Sequence, residues 1–153
     1  MSRPKRIPAS LEALDGLEAD TVLLFLPSDE RPPQGVTGLV DWRLAGAISR
    51  LSARGWLMGQ EGELCLSPGR ARLEGARLLV CGVGEEKKVS EASLQKAVTR
   101  ACEALGEIGC KTLACGLPAF GKDPAGLGAS VERTLKANWS GPLTLLEPKK
   151  RAG

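Results

Sequence analysis

The run Thr21-Val22-Leu23-Leu24-Phe25-Leu26, closed by Pro27, constrains this chain more than any other segment. It is continuously apolar and does not alternate, which marks a strand buried on both faces. Such a strand needs a sheet covered by helices on both sides. The remaining sequence supplies what that requires. A polar, Pro- and Gly-rich loop over 28–38 leads to a predicted helix over 41–53, with Asp41 at its start and Leu44, Ala47, Ile48 and Leu51 on one face. Short strands are predicted over 62–66 and 77–81, the second ending in Gly82-Val83-Gly84. Ser90 caps a long helix whose apolar positions run from Leu94 to Ile108, and Gly109 stops it. A strand over 112–115, a loop over 116–123, a helix opened by Pro124 and a last strand over 143–146 complete the pattern. Residues 7–17 are read as an edge strand followed by a turn of helix. Alternation of this kind predicts an α/β fold with three α/β/α layers around a mixed, mainly parallel sheet.

The length of 153 residues suits one domain. That domain is expected over 7–147, with basic tails over 1–6 and 148–153. The chain contains no Tyr, two Phe and three Trp, so Leu, Val and Ala must fill the core. No apolar run approaches the roughly 20 residues that cross a bilayer. The basic start Arg3-Pro4-Lys5-Arg6 is followed by a stretch carrying acids where a secretion signal would be apolar. The five Cys fall in or beside predicted strands and helices, which suits reduced core thiols and a cytoplasmic location. A net charge of +3, concentrated at the two ends, is too mild to argue for nucleic acid.

With no His in the chain, Ser-His-Asp and Cys-His catalysis are excluded. No Cys-x-x-Cys pair suggests structural zinc, and neither a metal nor a cofactor is expected. Gly82-Val83-Gly84 lacks the third glycine and the following helix of a phosphate loop, and reads as the turn that ends a strand. Trp42 and Arg43 are the candidate interface residues, because a large ring at a helix start can fill a partner's pocket; packing into the core is the favoured alternative for Trp42. Trp56 and Trp139 are expected to pack over helix ends. Lys87 and Lys88 are read as a solvated charged turn.

Two stretches carry a family resemblance. The first runs from Glu18-Ala19-Asp20 into the apolar strand, then through Gly38-Leu39-Val40-Asp41-Trp42-Arg43-Leu44-Ala45-Gly46-Ala47-Ile48, Gly62-Glu63-Leu64-Cys65-Leu66 and Leu78-Leu79-Val80-Cys81-Gly82-Val83-Gly84. This order of an acid-led strand, a Gly-containing helix, a strand and a strand ending in Gly-x-Gly resembles the amino-terminal domain of leucyl aminopeptidases. The second stretch, Leu94 to Gly121 with Gly116-Leu117-Pro118-Ala119-Phe120-Gly121, is similar to the long helix, strand and Pro-Ala loop of macro domains. The two agree, since the aminopeptidase domain is itself macro-like.

The resemblance implies a non-catalytic module. Leucyl aminopeptidases hydrolyse peptides with two metal ions held in a separate carboxy-terminal domain, and no run of such ligands occurs here. A role in contacting a protein partner or in self-association is expected. The alternatives are a sensor of a nucleotide or ADP-ribose derivative, and a regulatory partner of a separate aminopeptidase. Macro domains bind ADP-ribose at the carboxyl ends of their strands, and the matching loops here cover 28–38 and 117–123. The candidate crevice residues are Gly35, Gly38, Asp41, Pro118, Ala119, Phe120, Gly121 and Lys122. The glycines serve either turn geometry, the favoured reading, or a phosphate cradle. The chain departs from the ligand-binding macro pattern at two points. Its second strand ends in Leu24-Phe25-Leu26-Pro27 where that pattern is rich in Asn, and Pro8-Ala9-Ser10 offers no carboxylate for an adenine.

Overall fold

The computed structural model describes residues 3–69, 73 and 76–149. Their strands form one six-stranded sheet in the order β1-β6-β5-β2-β4-β3, with β1 at Lys5–Pro8, β2 at Thr21–Pro27, β3 at Leu64–Pro68, β4 at Arg77–Gly84, β5 at Leu113–Gly116 and β6 at Leu143–Glu147. Every neighbouring pair is parallel except β3 with β4, which is antiparallel. The sheet is therefore mixed and mainly parallel, and β3 and β4 are direct neighbours.

The apolar segment that opened the reading is the central β2, with every residue from Thr21 to Pro27 buried. Its side chains alternate between two cores, as the period of a strand requires. Leu23 and Phe25 meet Leu94, Val98 and Leu105 of α4 (Glu91–Glu107) and Val131 and Leu135 of α5 (Pro124–Asn138). Val22, Leu24 and Leu26 meet the opposite layer, built from Leu14 of α1 (Leu11–Asp15), Val36 and Val40 of α2 (Gly35–Arg43) and Ile48 of α3 (Ala47–Ala53). The three layers follow from this one strand having no solvent-facing side.

The long helix is close to its sequence reading. Ser90 accepts from Ser93 N and Ser93 Oγ accepts from Ser90 N, a reciprocal capping box, and the helix ends at Ile108 before Gly109. The predicted 41–53 helix needs correction, because it is two helices. Ala45 (φ 55°) and Gly46 (φ 83°) are both left-handed, and they break the ladder between α2 and α3. Leu44 and Ile48 still reach the core, because α2 and α3 pack on the same face of the sheet. Residues Lys5 and Arg6, assigned on charge to the N-terminal tail, begin the edge strand β1, where one flank faces solvent and tolerates charge. Strand β3 lies two residues further along than expected, and positions 150–153 of the C-terminal tail lie outside the described residues.

The amino ends of the strands are tied by Asp20. Its Oδ2 accepts from Lys111 N (2.8 Å) and Thr112 N (3.1 Å), its Oδ1 accepts from Thr21 Oγ1 (2.8 Å), and Arg77 lies 3.6 Å away. Partial burial pushes this carboxyl up, but the bonds from Lys111, Cys110, Thr112 and Thr21 outweigh that, and its pKa falls well below the usual carboxylate range. A depressed folded pKa adds stability above the unfolded value of about 4 and loses it as pH falls toward the folded one. We expect Asp20→Ala to cost about 1–2 kcal/mol at pH 7, a discounted figure because the side chain is 38% exposed and solvent screens it. Urea titrations should show the gap between the two proteins narrowing below pH 4; an unchanged gap at pH 2.5 would contradict this account.

The cysteines are free, with Cys81, Cys102 and Cys115 buried. Burial pushes Cys81 up to about 12 and Cys102 to about 11, so both are neutral thiols that pack as small hydrophobes.

Candidate functional site

Strand β2 connects onward toward β4 and β3, whereas β5 connects toward β6. The loops after these two adjacent parallel strands therefore diverge and leave a crevice at their carboxyl ends. The structure places a cleft of about 1280 Å³ there, extending to the ends of β1 and β6. One wall is α1 and the start of α2; the other is the 117–121 loop and the face of α5 formed by Pro124, Ala125, Gly128, Ala129 and Glu132.

The sequence candidates divide. Gly35, Pro118, Ala119 and Gly121 line the cleft. Gly35 adopts φ 58°, and a Cβ built on it would lie 2.7 Å from Ala119 Cβ, so it allows both the left-handed turn and the close approach of the two loops. Phe120 is 6% exposed and packs into the α4–α5 core behind the cleft. Lys122 lies outside the lining. Gly38 also lies outside it; one turn into α2, it lets the helix backbone pass over the Pro33 carbonyl. Asp41 is not a cleft residue either. It is 8% exposed, with Oδ1 accepting from Ser49 N (2.9 Å) and Oδ2 from Ser49 Oγ (2.5 Å), so it caps α3 from within α2. The reading of Asp41 as a cap holds, but for the helix that begins after the break.

Several cleft residues were not singled out from the sequence. Ser10 lies at the end of β1, where its Oγ accepts from Ala13 N and starts α1. Arg6 pairs with Glu132 and lies 3.7 Å from Glu147, while Lys136 lies 2.8 Å from Glu132. Burial raises the Glu132 pKa, but Lys136 and Arg6 outweigh it and leave the group lowered and ionised. Glu86 Oε1 accepts from Gly121 N at 3.0 Å and steadies the 117–121 loop. These residues come from β1, β6, α5 and the turn after β4, and no sequence spacing relates them. The start of α2 opens on the cleft with no side-chain cap from Gln34, whereas the start of α5 is closed by Asp123, which accepts from Gly126 N.

The candidate interface residues are elsewhere. Trp42 is 73% exposed, which overturns its packing role. With α2 starting at Gly35, the buried face is Val36, Thr37, Val40 and Asp41, and position 42 turns outward. Trp56 is 67% exposed and does not pack over the helix end; Arg54 stacks on it at 5.5 Å. Arg43 pairs with Asp15 at 2.7 Å, tying α2 to α1. Trp139 packs against the core and donates Nε1–H to Pro142 O at 3.1 Å. Lys87 and Lys88 are exposed in a 3₁₀ turn over 86–88, as expected. Among the described residues no group of three or more His, Cys, Asp or Glu is placed to hold a metal, and no helix is long and apolar enough to cross a membrane.

The sheet order, the helices on both faces and the crevice at the switch point define an α/β domain of the macrodomain type. The chain belongs to the cytosol aminopeptidase family, whose N-terminal domain it matches over residues 21–142. Among solved structures it superposes on a tomato leucine aminopeptidase mutant with a TM-score of 0.67 at 14% identity, over 95% of this chain and 33% of that one. The chain thus spans about a third of that enzyme's length. It also matches the macrodomain of Thermus aquaticus DarG (TM-score 0.68, 10% identity, 95% and 99% of the two chains). A Trypanosoma brucei macrodomain solved in complex with ADP-ribose matches as well (TM-score 0.65, 15% identity, 93% and 62%). Identities this low speak to fold. Among curated proteins, no sequence matches.

Proposed function

We propose that this domain is a non-catalytic binding and assembly module that contacts a protein surface, a partner's or another copy's, through the α2–α3 layer. The observation that carries this reading is the exposure of Trp42 and Trp56, two of the chain's three tryptophans and the most exposed large apolar side chains among the described residues. Tryptophan is the residue whose burial contributes most at the centre of interfaces, and Arg54 already orients one ring. The family context supports the reading, because the matched region is the N-terminal domain and not the one that performs catalysis. We expect Trp42→Ala with Trp56→Ala to leave the melting temperature within about 2 °C, since exposed side chains contribute little to folding. The same pair should abolish association measured by sedimentation velocity, or by co-purification with the host partner. Wild-type protein that is monomeric and partnerless, or an undiminished complex in the double variant, would defeat the proposal. A regulatory contact with a separately encoded aminopeptidase is a special case, tested by whether a peptidase is retained in the same co-purification.

The cleft favours a second reading, a small-molecule sensor. It is preformed, lies at the switch point and takes in the start of α2, where Gln34 supplies no side-chain cap and its own N–H donates to Glu30. Because two of the similar solved structures are complexes with ADP-ribose, thermal shifts with ADP-ribose and ADP are the first test. Absence of a shift with any small ligand at millimolar concentration would end this reading.

A further inference from the structure

We propose that the cleft takes a ligand joining an apolar body to an organic cation, such as a short basic peptide segment, and refuses diphosphates; this rests on the small-molecule reading of the cleft. The first observation is steric. The start of α2 and the 117–121 loop touch through Gly35 and Ala119, so closely that a methyl on Gly35 would lie 2.7 Å from the Ala119 methyl. Behind that contact, between Phe25, Thr37 and Gly116, only about 10 Å³ remains, room for no more than one water. No anion the size of a phosphate fits between the two loops.

The second observation is electrostatic. Glu12, Glu86, Glu132 and Glu147 line the cleft against Arg6 and Lys149, although the whole chain carries +3. Arg6 is committed to Glu132 and Glu147, so an anion would have to break those pairs to reach it. The Glu12 carboxylate is exposed at the cleft and takes part in no side-chain hydrogen bond or ion pair among the described residues. With Lys136 also on Glu132, the four carboxylates still outnumber the cations beside them by one; a diphosphate meets that excess with only Lys149 uncommitted among the described residues, and a cation meets the uncommitted Glu12 carboxylate. The third observation is the apolar lining that Leu11, Leu39, Leu117 and Pro118 provide. A volume of about 1280 Å³ accommodates several residues of extended peptide.

The test is isothermal titration with three probes: the capped peptides Leu-Lys-Leu-Arg and Leu-Glu-Leu-Asp, and ADP-ribose. The basic peptide should bind, the other two should not, and Glu12→Lys should weaken the basic peptide about tenfold while Glu12→Gln weakens it less. Tighter binding of ADP-ribose or the acidic peptide than of the basic one overturns this inference but leaves the cleft a ligand site. Binding of the basic peptide that is indifferent to Glu12→Lys, in a variant with an unchanged melting temperature, also overturns it. Failure of all three probes removes the small-molecule reading with it.

Discussion

Leu24→Ala is expected to destabilise the domain by about 3–5 kcal/mol, read as a lower urea midpoint at unchanged m-value. Leu24 is fully buried at the centre of β2, between the two neighbouring parallel strands. Its methyls reach the space beside Gly116, where an added Cβ would lie 3.0 Å from Leu24 Cδ2 and 2.7 Å from Val36 Cγ1. The surroundings are therefore tight, and the strands on each side cannot move inward without breaking their ladders. A cavity there stays open, which puts the loss at the upper end of the usual range. Leu24 also supports Val36 in the first turn of α2, so the variant should loosen that wall of the cleft and speed amide exchange in α2 more than in α4. A loss below about 1.5 kcal/mol would mean that the layer over Leu24 collapses freely, contrary to the packing described.

Gly35→Val should have the second largest effect, about 2–4 kcal/mol. A β-branched residue at φ 58° costs about 1–2 kcal/mol, and its Cβ would overlap Ala119, for which repacking costs about 1–3 more. Backbone strain and overlap act on the same residue, so the two do not simply add. The outcome separates the two possible roles of this glycine. If Gly35 serves only turn geometry, Gly35→Asn, which tolerates the left-handed region, should recover much of the stability. If the contact with Ala119 governs, Asn should be nearly as damaging as Val, and Gly35→Val with Ala119→Gly should recover part of the loss. The 2.7 Å approach leads us to expect the second pattern.

Fold class, layer count and the position of the central strand were legible in the sequence, because burial on both faces shows directly as an unbroken apolar run. The capping box at Ser90 and the stop at Gly109 were legible for the same reason: the signal and its structural effect lie within a few residues of each other. The break between α2 and α3 was not. Its apolar positions keep helical spacing across Ala45 and Gly46, and nothing local announces that an alanine adopts a positive φ. That error carried Trp42 with it, since the direction in which a helical side chain points depends on where the helix begins.

The site shows the same division. Both loops of the crevice were named from the sequence, and Gly35, Pro118, Ala119 and Gly121 do line the cleft. Gly38 and Asp41 do not, because neighbours in sequence separate once α2 rises away from the sheet end, and Lys122, between the 117–121 loop and α5, also lies outside the lining. The polar character of the cleft was invisible beforehand, being assembled from Arg6 on β1, Glu86 after β4, Glu132 on α5 and Glu147 on β6. The sequence by itself determined that this chain makes a helix-covered, mainly parallel sheet of the aminopeptidase N-terminal family, because hydrophobic period and end signals act over short distances. Only the tertiary structure decided that the two loops of the crevice touch, that carboxylates outnumber cations beside them and that Trp42 and Trp56 face solvent. These depend on where strands distant in sequence end and on the angle at which each helix leaves the sheet, quantities set by packing between residues that no local pattern relates.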